Sequence, residues 1–184
     1  MSYNIIKRLR TNRGFSFAEV LVAIIIVLLM TSIVTAGMPA ASNAYYKVVD
    51  SANAQTLLST TMTCMRDELS TAKINKDKTE KDNPEGKKIV YTGRDGSETT
   101  ITSITDAENA DKSGIYIKSA FYERLLVSQA AANKNLYASF DSISYKDTDG
   151  YIKVTDLGVY KVNKNNTVSG PLVEIPVFEI RVIT

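Results

Sequence analysis

The chain has 184 residues with 22 Lys plus Arg against 20 Asp plus Glu, a formal net charge of +2, one cysteine and no histidine. Without histidine there is no Ser-His or Cys-His nucleophile and no His-containing zinc site, and a single cysteine excludes four-thiolate zinc and any internal disulfide. A charge of +2 is too small to favour nucleic acid as a partner, and a mean hydropathy of −0.10 averages two regions of opposite character.

Residues 1–14 carry Lys7, Arg8, Arg10 and Arg13 and no acid, whereas Val20 to Tyr46 carries no charge at all and opens with the unbroken apolar run Val20–Met30. A helix over residues 15–38 would be about 36 Å long at about 1.5 Å per residue, enough to cross a hydrocarbon core of about 30 Å. The basic cluster before this span, with no comparable cluster just after it, predicts a cytoplasmic N-terminus and places the chain after Met38 outside the membrane. Tyr45 and Tyr46 would then lie at the interface. The same segment also fits a secretory signal peptide, with a basic start, an apolar centre and small residues around Val34–Ala36 for cleavage.

Glu19 weighs against the signal-peptide reading. A carboxylate beside an apolar run costs about 2.5–3.5 kcal/mol at a membrane centre, less near its edge, and a merely hydrophobic targeting helix gains nothing from it. A cut between Gly14 and Phe15 would supply a partner, because the new α-amino group would sit four residues, about one helical turn, from Glu19. Between two parallel helices shifted by about one turn, the amine of one meets the carboxylate of the next. Glu19 then fixes register rather than transferring protons.

The run Arg13-Gly14-Phe15-Ser16-Phe17-Ala18-Glu19, leading into the apolar helix, resembles the class III signal of type IV prepilins and pseudopilins. The likeness covers about residues 7–40. It implies cleavage after Gly14 by a membrane-embedded prepilin peptidase, N-methylation of Phe15, and pairing of Glu19 with a neighbouring N-terminus during assembly. Its further implied partners are other pilin subunits, an inner-membrane assembly platform and a cytoplasmic motor ATPase, with membrane lipid around the helix before assembly; it implies no cofactor. Two departures stand out. Phe17 occupies a position where leucine is commoner, and the proline many pilins carry would fall at Ala36, whereas this chain has Gly37 and Pro39. On local grounds Pro39 and Gly37 predict a kink or a melted segment, since Pro39 lacks a donor and clashes with the carbonyl four residues earlier.

Residues 39–73 are expected to continue the helix as an amphipathic segment, with Val48, Ala52, Leu58, Met62, Met65, Leu69 and Ala72 forming a stripe broken only at Gln55. That stripe would pack on the chain's own sheet or, in the alternative, on a separate coiled-coil partner. Cys64 sits beside it as a small buried hydrophobe. The charge-rich segment Ile74 to Lys88, with Asn83-Pro84 and Gly86, reads as a solvated connection.

Beyond it the pattern turns β-prone. Ile89–Thr92 and Glu98–Ile104 flank Gly93-Arg94-Asp95-Gly96 as a hairpin, and Ile115–Lys118 is a short strand. Ala120–Ala132 has helical spacing at Phe121, Leu125, Ser128 and Ala132. Leu136–Tyr145, Tyr151–Val154, Val159–Val162 and Leu172–Ile183 complete the strands, the last interrupted by Pro176 and so expected at an edge or bulge. The expected fold is α+β and pilin-like: a long N-terminal helix, membrane-spanning in its first half and amphipathic in its second, packed on a C-terminal antiparallel sheet within a globular domain over residues 74–184.

Little in that domain points to chemistry. Asp147 and Asp149, with Gly150 and Asp156 downstream, outline a weak calcium candidate, but the EF-hand spacing and closing glutamate are missing, and a hairpin turn is the plainer reading. There is no phosphate-binding glycine loop, and no catalytic role is expected. The sequence therefore points to a structural filament subunit, a minor pilin or a pseudopilin. The rival is a secreted or signal-anchored single-pass binding domain that never polymerises. Removing the four leader cations from 22 leaves 18 basic against 20 acidic side chains, so the mature chain would carry a net charge of −2.

Overall fold

A computed structural model describes residues 16–83, 85–93, 95–106, 112–128, 135–146, 148–163 and 167–183. The chain divides into two compact units, one up to Lys47 and one from Val48 onward, and the helix α1 (Phe17–Leu69) contributes to both. The fold is α+β, with α1 preceding antiparallel sheets.

In the first unit α1 is built from residues with nowhere inside the molecule to go. Its large apolar side chains from Phe17 to Met38 are 44% to 84% exposed. The helix is continuous through Gly37 and Pro39. Proline has no N–H to donate to the Thr35 carbonyl one turn back, so that step of the ladder is missing. Nearby, Thr31 and Thr35 each donate their hydroxyl to the carbonyl four residues earlier, Val27 and Thr31, at 2.8 Å.

In the second unit the helix does bury one face. Ala54, Leu57, Leu58, Thr61, Met65 and Leu69 line it, and Ala72 extends the line just past the helix end. The stripe runs as expected from Leu58 onward, but Val48 and Ala52 are exposed: the buried line passes through Ala54, which removes the apparent break at Gln55. Thr61 is tolerated in the core because its hydroxyl bonds the Leu57 carbonyl at 2.8 Å. Cys64 is half-buried and free. The helix end is tied down by Ile183, whose N–H donates to the Ser70 carbonyl at 2.7 Å, and by the Tyr91 hydroxyl donating to Glu68 at 2.8 Å.

The expected solvated connection is in fact structured. Lys73–Ile74 forms β1, and Lys76–Asp82 forms a short helix, α2, capped by the Asn75 side chain, which accepts from the Lys78 N–H at 3.3 Å. Good helix formers behind an N-cap suffice here without an apolar stripe, because Thr79 anchors α2 by accepting from the Val90 N–H at 3.1 Å.

β1 opens a five-stranded antiparallel sheet that continues through β2 (Lys88–Thr92), β3 (Glu98–Ile104), β4 (Gly114–Ser119) and β5 (Glu123–Leu125) in sequential order. The β2–β3 hairpin is the one expected; Gly96 sits at φ +77 in its turn and Asp95 accepts from both the Ser97 N–H and hydroxyl. The helix expected over Ala120–Ala132 is corrected: residues 123–125 form β5, while 129–132 lie outside the described residues. A tight turn closed by the Ser119 N–H on the Tyr122 carbonyl at 2.8 Å, and a Lys118–Glu123 pair across the strands at 3.4 Å, favour the hairpin. Gly114 permits it: at φ +149, a Cβ there would stand 2.7 Å from Leu125 Cδ2.

The second sheet centres on β8 (Tyr151–Lys161), a single strand where two were expected. β6 (Leu136–Ser139) and β7 (Ser142–Lys146) pair along one of its edges in one continuous register, so the expected Leu136–Tyr145 strand is interrupted only at Phe140–Asp141. On the other edge lies β9 (Val173–Arg181), which pairs with β8 alone and holds Pro176 opposite Asp156, where the ladder skips a pair. Proline thus sits in an edge strand, as expected. Asp156 itself has φ +51. The single sheet anticipated from sequence is therefore two, joined through the Ile143 N–H to the Gly86 carbonyl at 2.6 Å and through Ser103 and Ser139 hydroxyls 2.8 Å apart. Core residues from both sheets, among them Ile89, Tyr91, Ile101, Ile143, Ile152 and Leu157, form one cluster with the buried face of α1.

Candidate functional site

The candidate site is the first part of α1 itself. Ser16 precedes the first helical residue, and the Glu19 carboxylate accepts its backbone N–H at 2.9 Å. This is one half of a capping box, Ser-x-x-Glu, and it also places an anion where the helix dipole is positive. Glu19 shares an exposed groove with Val20, Ala23, Ile24, Val27 and Leu28, so one carboxylate stands at the head of an otherwise apolar surface. Reading Glu19 only as an unpartnered charge missed the cap; the spacing of Ser16 and Glu19 was the signal that could have found it.

The other sequence-derived site residues scatter. Lys7, Arg8, Arg10, Arg13, Gly14 and Phe15 lie outside the described residues, as does Asp147. Gly37 and Pro39 lie inside α1, and a Cβ added at Gly37 would meet nothing within 4 Å. Asp149 lies in the β7–β8 turn with its carboxylate 3.9 Å from the Lys146 ammonium. Among the described residues no group of three or more Cys, Asp or Glu side chains is placed to hold a metal ion.

The physical property of this site is its surface. Among the described residues α1 is the one helix long and apolar enough to cross a membrane, and the apolar stretch that would do so has no residue buried inside the molecule. At about 25 cal/mol per Å² of apolar area, an exposed face of this size is strongly driven to leave water. Lipid or other apolar helices can cover it.

The helix of the second unit has a different outer side. From Ser51 to Met65 it carries no charged residue. Its exposed threonines turn their hydroxyls onto the helix backbone: Thr56 to Ala52, Thr60 to Thr56 and Thr63 to Ser59, at 2.8–3.0 Å. At the start of this stretch Asp50, partly buried, pairs with Lys161 of β8. Among known proteins the chain matches no family model, no curated protein and no solved structure.

Proposed function

We propose that this chain is a pilin-like structural subunit, a minor pilin or pseudopilin. It is held in a membrane by its first helix, trimmed after Gly14 by a prepilin peptidase, methylated on Phe15, and assembled helix against helix into a filament. The observation that carries the reading is the bare apolar face of α1 from Phe17 to Met38 with Glu19 alone at its head. The order of a basic leader, Gly14-Phe15 and Glu19 in the sequence supports it.

The energetics are those of substitution. An apolar helix leaves lipid only when neighbours offer an equally dry surface, and its backbone groups are satisfied within the helix apart from the N–H groups of its first turn and the step at Pro39. A leading Glu19 then favours the one register in which it meets the free amine of a neighbouring helix, because a carboxylate buried without that amine is costly. Its bond to the Ser16 N–H holds the carboxylate near the helix start in the free subunit. In this reading the N-terminus is cytoplasmic, the sheets lie outside the membrane, the partners are the assembly platform and other pilin subunits, and no residue is catalytic.

The deciding experiment is the mature N-terminus, read by intact mass and terminal sequencing of the chain purified from its own membranes. An N-methylated Phe15 is the expected result. Cleavage near Ala36, or a retained Met1, would overturn the reading in favour of a secreted or signal-anchored binding domain.

A further inference from the structure

A cleft of about 190 Å³ opens at the seam between the two sheets, well away in sequence from α1, and β3, β6 and β8 contribute to it together with the segments beside them. Its floor is a chain of hydroxyls: Ser139 lies 2.8 Å from Ser103 and 3.1 Å from Thr105, and Ser103 accepts the Phe140 N–H at 3.1 Å. One wall is a tyrosine pair, Tyr137 of β6 and Tyr160 of β8, directly opposite in register and stacked with centroids 5.6 Å apart and planes 20° from parallel. Lys87 and Asp141 line the same cleft, with no salt bridge to each other or to any other described residue. Opposite charges that face one cleft yet stay apart leave both free for a guest.

Carboxylates gather near the Tyr160 side of the wall. The Tyr160 phenol is held above its ordinary pKa by burial first, then by the carboxylates of Glu174, Asp156 and Asp141. Within the lining Lys87 is matched by Asp141, and Glu174 and Asp156 add negative charge near Tyr160 from outside it. An anionic guest is disfavoured, while hydroxyl or ammonium donors find acceptors. The volume lies below the roughly 300–1,000 Å³ of sites for drug-sized ligands, which suits a single ring rather than a chain. A hydroxyl floor, an aromatic wall and separated carboxylate and ammonium groups are the set that a polyhydroxylated ring needs, since such a ring offers donors at its edge and C–H groups on its face.

We propose that this cleft binds one neutral or amino-bearing sugar ring, with Asp141 and the Ser139 and Thr105 hydroxyls on its hydroxyl groups and Tyr160 beside its C–H face. The site is independent of filament assembly and would serve a polymerised or a solitary chain equally.

The test is saturation-transfer NMR on the full chain in a detergent without a sugar headgroup, with glucose, glucosamine and glucuronate as probes of one skeleton and three charges. Transfer to glucose and glucosamine, with glucuronate at least several-fold weaker, is the expected result. Tyr160→Ala should weaken the apparent affinity about tenfold, the scale of one lost stacking contact. Asp141→Asn should reduce the preference for glucosamine over glucose while leaving the circular dichroism spectrum unchanged. No transfer to any of the three, equal transfer to all three, or transfer that survives both substitutions would overturn the proposal. Because Asp141 is exposed in a short interruption between strands, its variant keeps the test valid even if Tyr160→Ala unfolds the sheet.

Discussion

One helix in this protein is exposed to two environments. From Phe17 to Met38 its leucines, isoleucines and valines face outward on every side; from Ala54 to Leu69 a single face is buried among two sheets and the opposite face is polar but uncharged as far as Met65. The residue types overlap, yet their energetic roles do not. In the second half each buried apolar side chain contributes to the stability of the fold, whereas in the first half it contributes only once something outside the chain covers it. The difference teaches that apolar content is no measure of a core: what counts is which side chains the chain itself can enclose.

A matched pair of truncations is the sharpest way to break this contrast. Leu69→Ala, at a position with no exposure, should cost about 2–5 kcal/mol in urea unfolding of the detergent-solubilised chain, whereas Leu28→Ala, 63% exposed, should change it by less than about 0.5 kcal/mol. Equal costs would mean that the first half of the helix is part of the folding unit after all.

Next in size is Gly114→Ala. A methyl there meets Leu125 and a φ of +149, so a loss of about 1–3 kcal/mol is expected in the same assay, confined to the sheet-bearing unit.

A smaller effect attaches to the Tyr91–Glu68 bond at the docked end of the helix. Tyr91→Phe should cost about 0.5–1.5 kcal/mol. Burial, reinforced by Glu68, raises the Tyr91 pKa well above its ordinary value of 10.0. Above about pH 10 the unfolded chain therefore loses this proton and the folded one keeps it, so stability is full below that pH and falls as pH rises further. Tyr91→Phe should flatten that alkaline decline, and an unchanged slope would show that other groups cause it.

Smallest in unfolding, though not in assembly, are changes at Glu19. Glu19→Ala removes the cap and should cost less than about 1 kcal/mol of helix stability, while Glu19→Gln preserves a capping acceptor and removes the charge. If charge pairing sets register, both variants insert into membranes and both fail to enter filaments. Incorporation of Glu19→Gln at the parental level would leave the residue as a cap and nothing more.

How far the sequence could be read depends on which forces act locally. The β2–β3 hairpin was legible because its turn glycines and Asp95 act within a few residues, and the helix stripe was legible from Leu58 because burial there has the helical period. Ala120–Leu125 misled because its apolar spacing suits a helix, while the tight turn at Ser119–Tyr122, the pairing of Lys118 with Glu123 and the room that Gly114 leaves for Leu125 decide for a strand. Residues 155–158 fell between two expected strands, and the ladder with β9 shows one strand running through them. At the candidate site, Glu19 was legible by its oddity in an apolar run, while its bond to Ser16 was hidden by attention to charge alone. The cleft between the sheets could not be foreseen, since Lys87, Ser103, Ser139 and Tyr160 come together only through topology.

The threonines of α1 have one more consequence. Thr31, Thr35, Thr56, Thr60 and Thr63 each fold the hydroxyl back onto the preceding turn, so what each shows to its surroundings is chiefly a methyl group. In outline they are valines with an internal tether. A hydropathy scale scores them as half-polar, but at these positions a helix laid alongside would meet a low, uncharged relief with no threonine hydroxyl to desolvate, and two such backbones could come closer than the composition suggests.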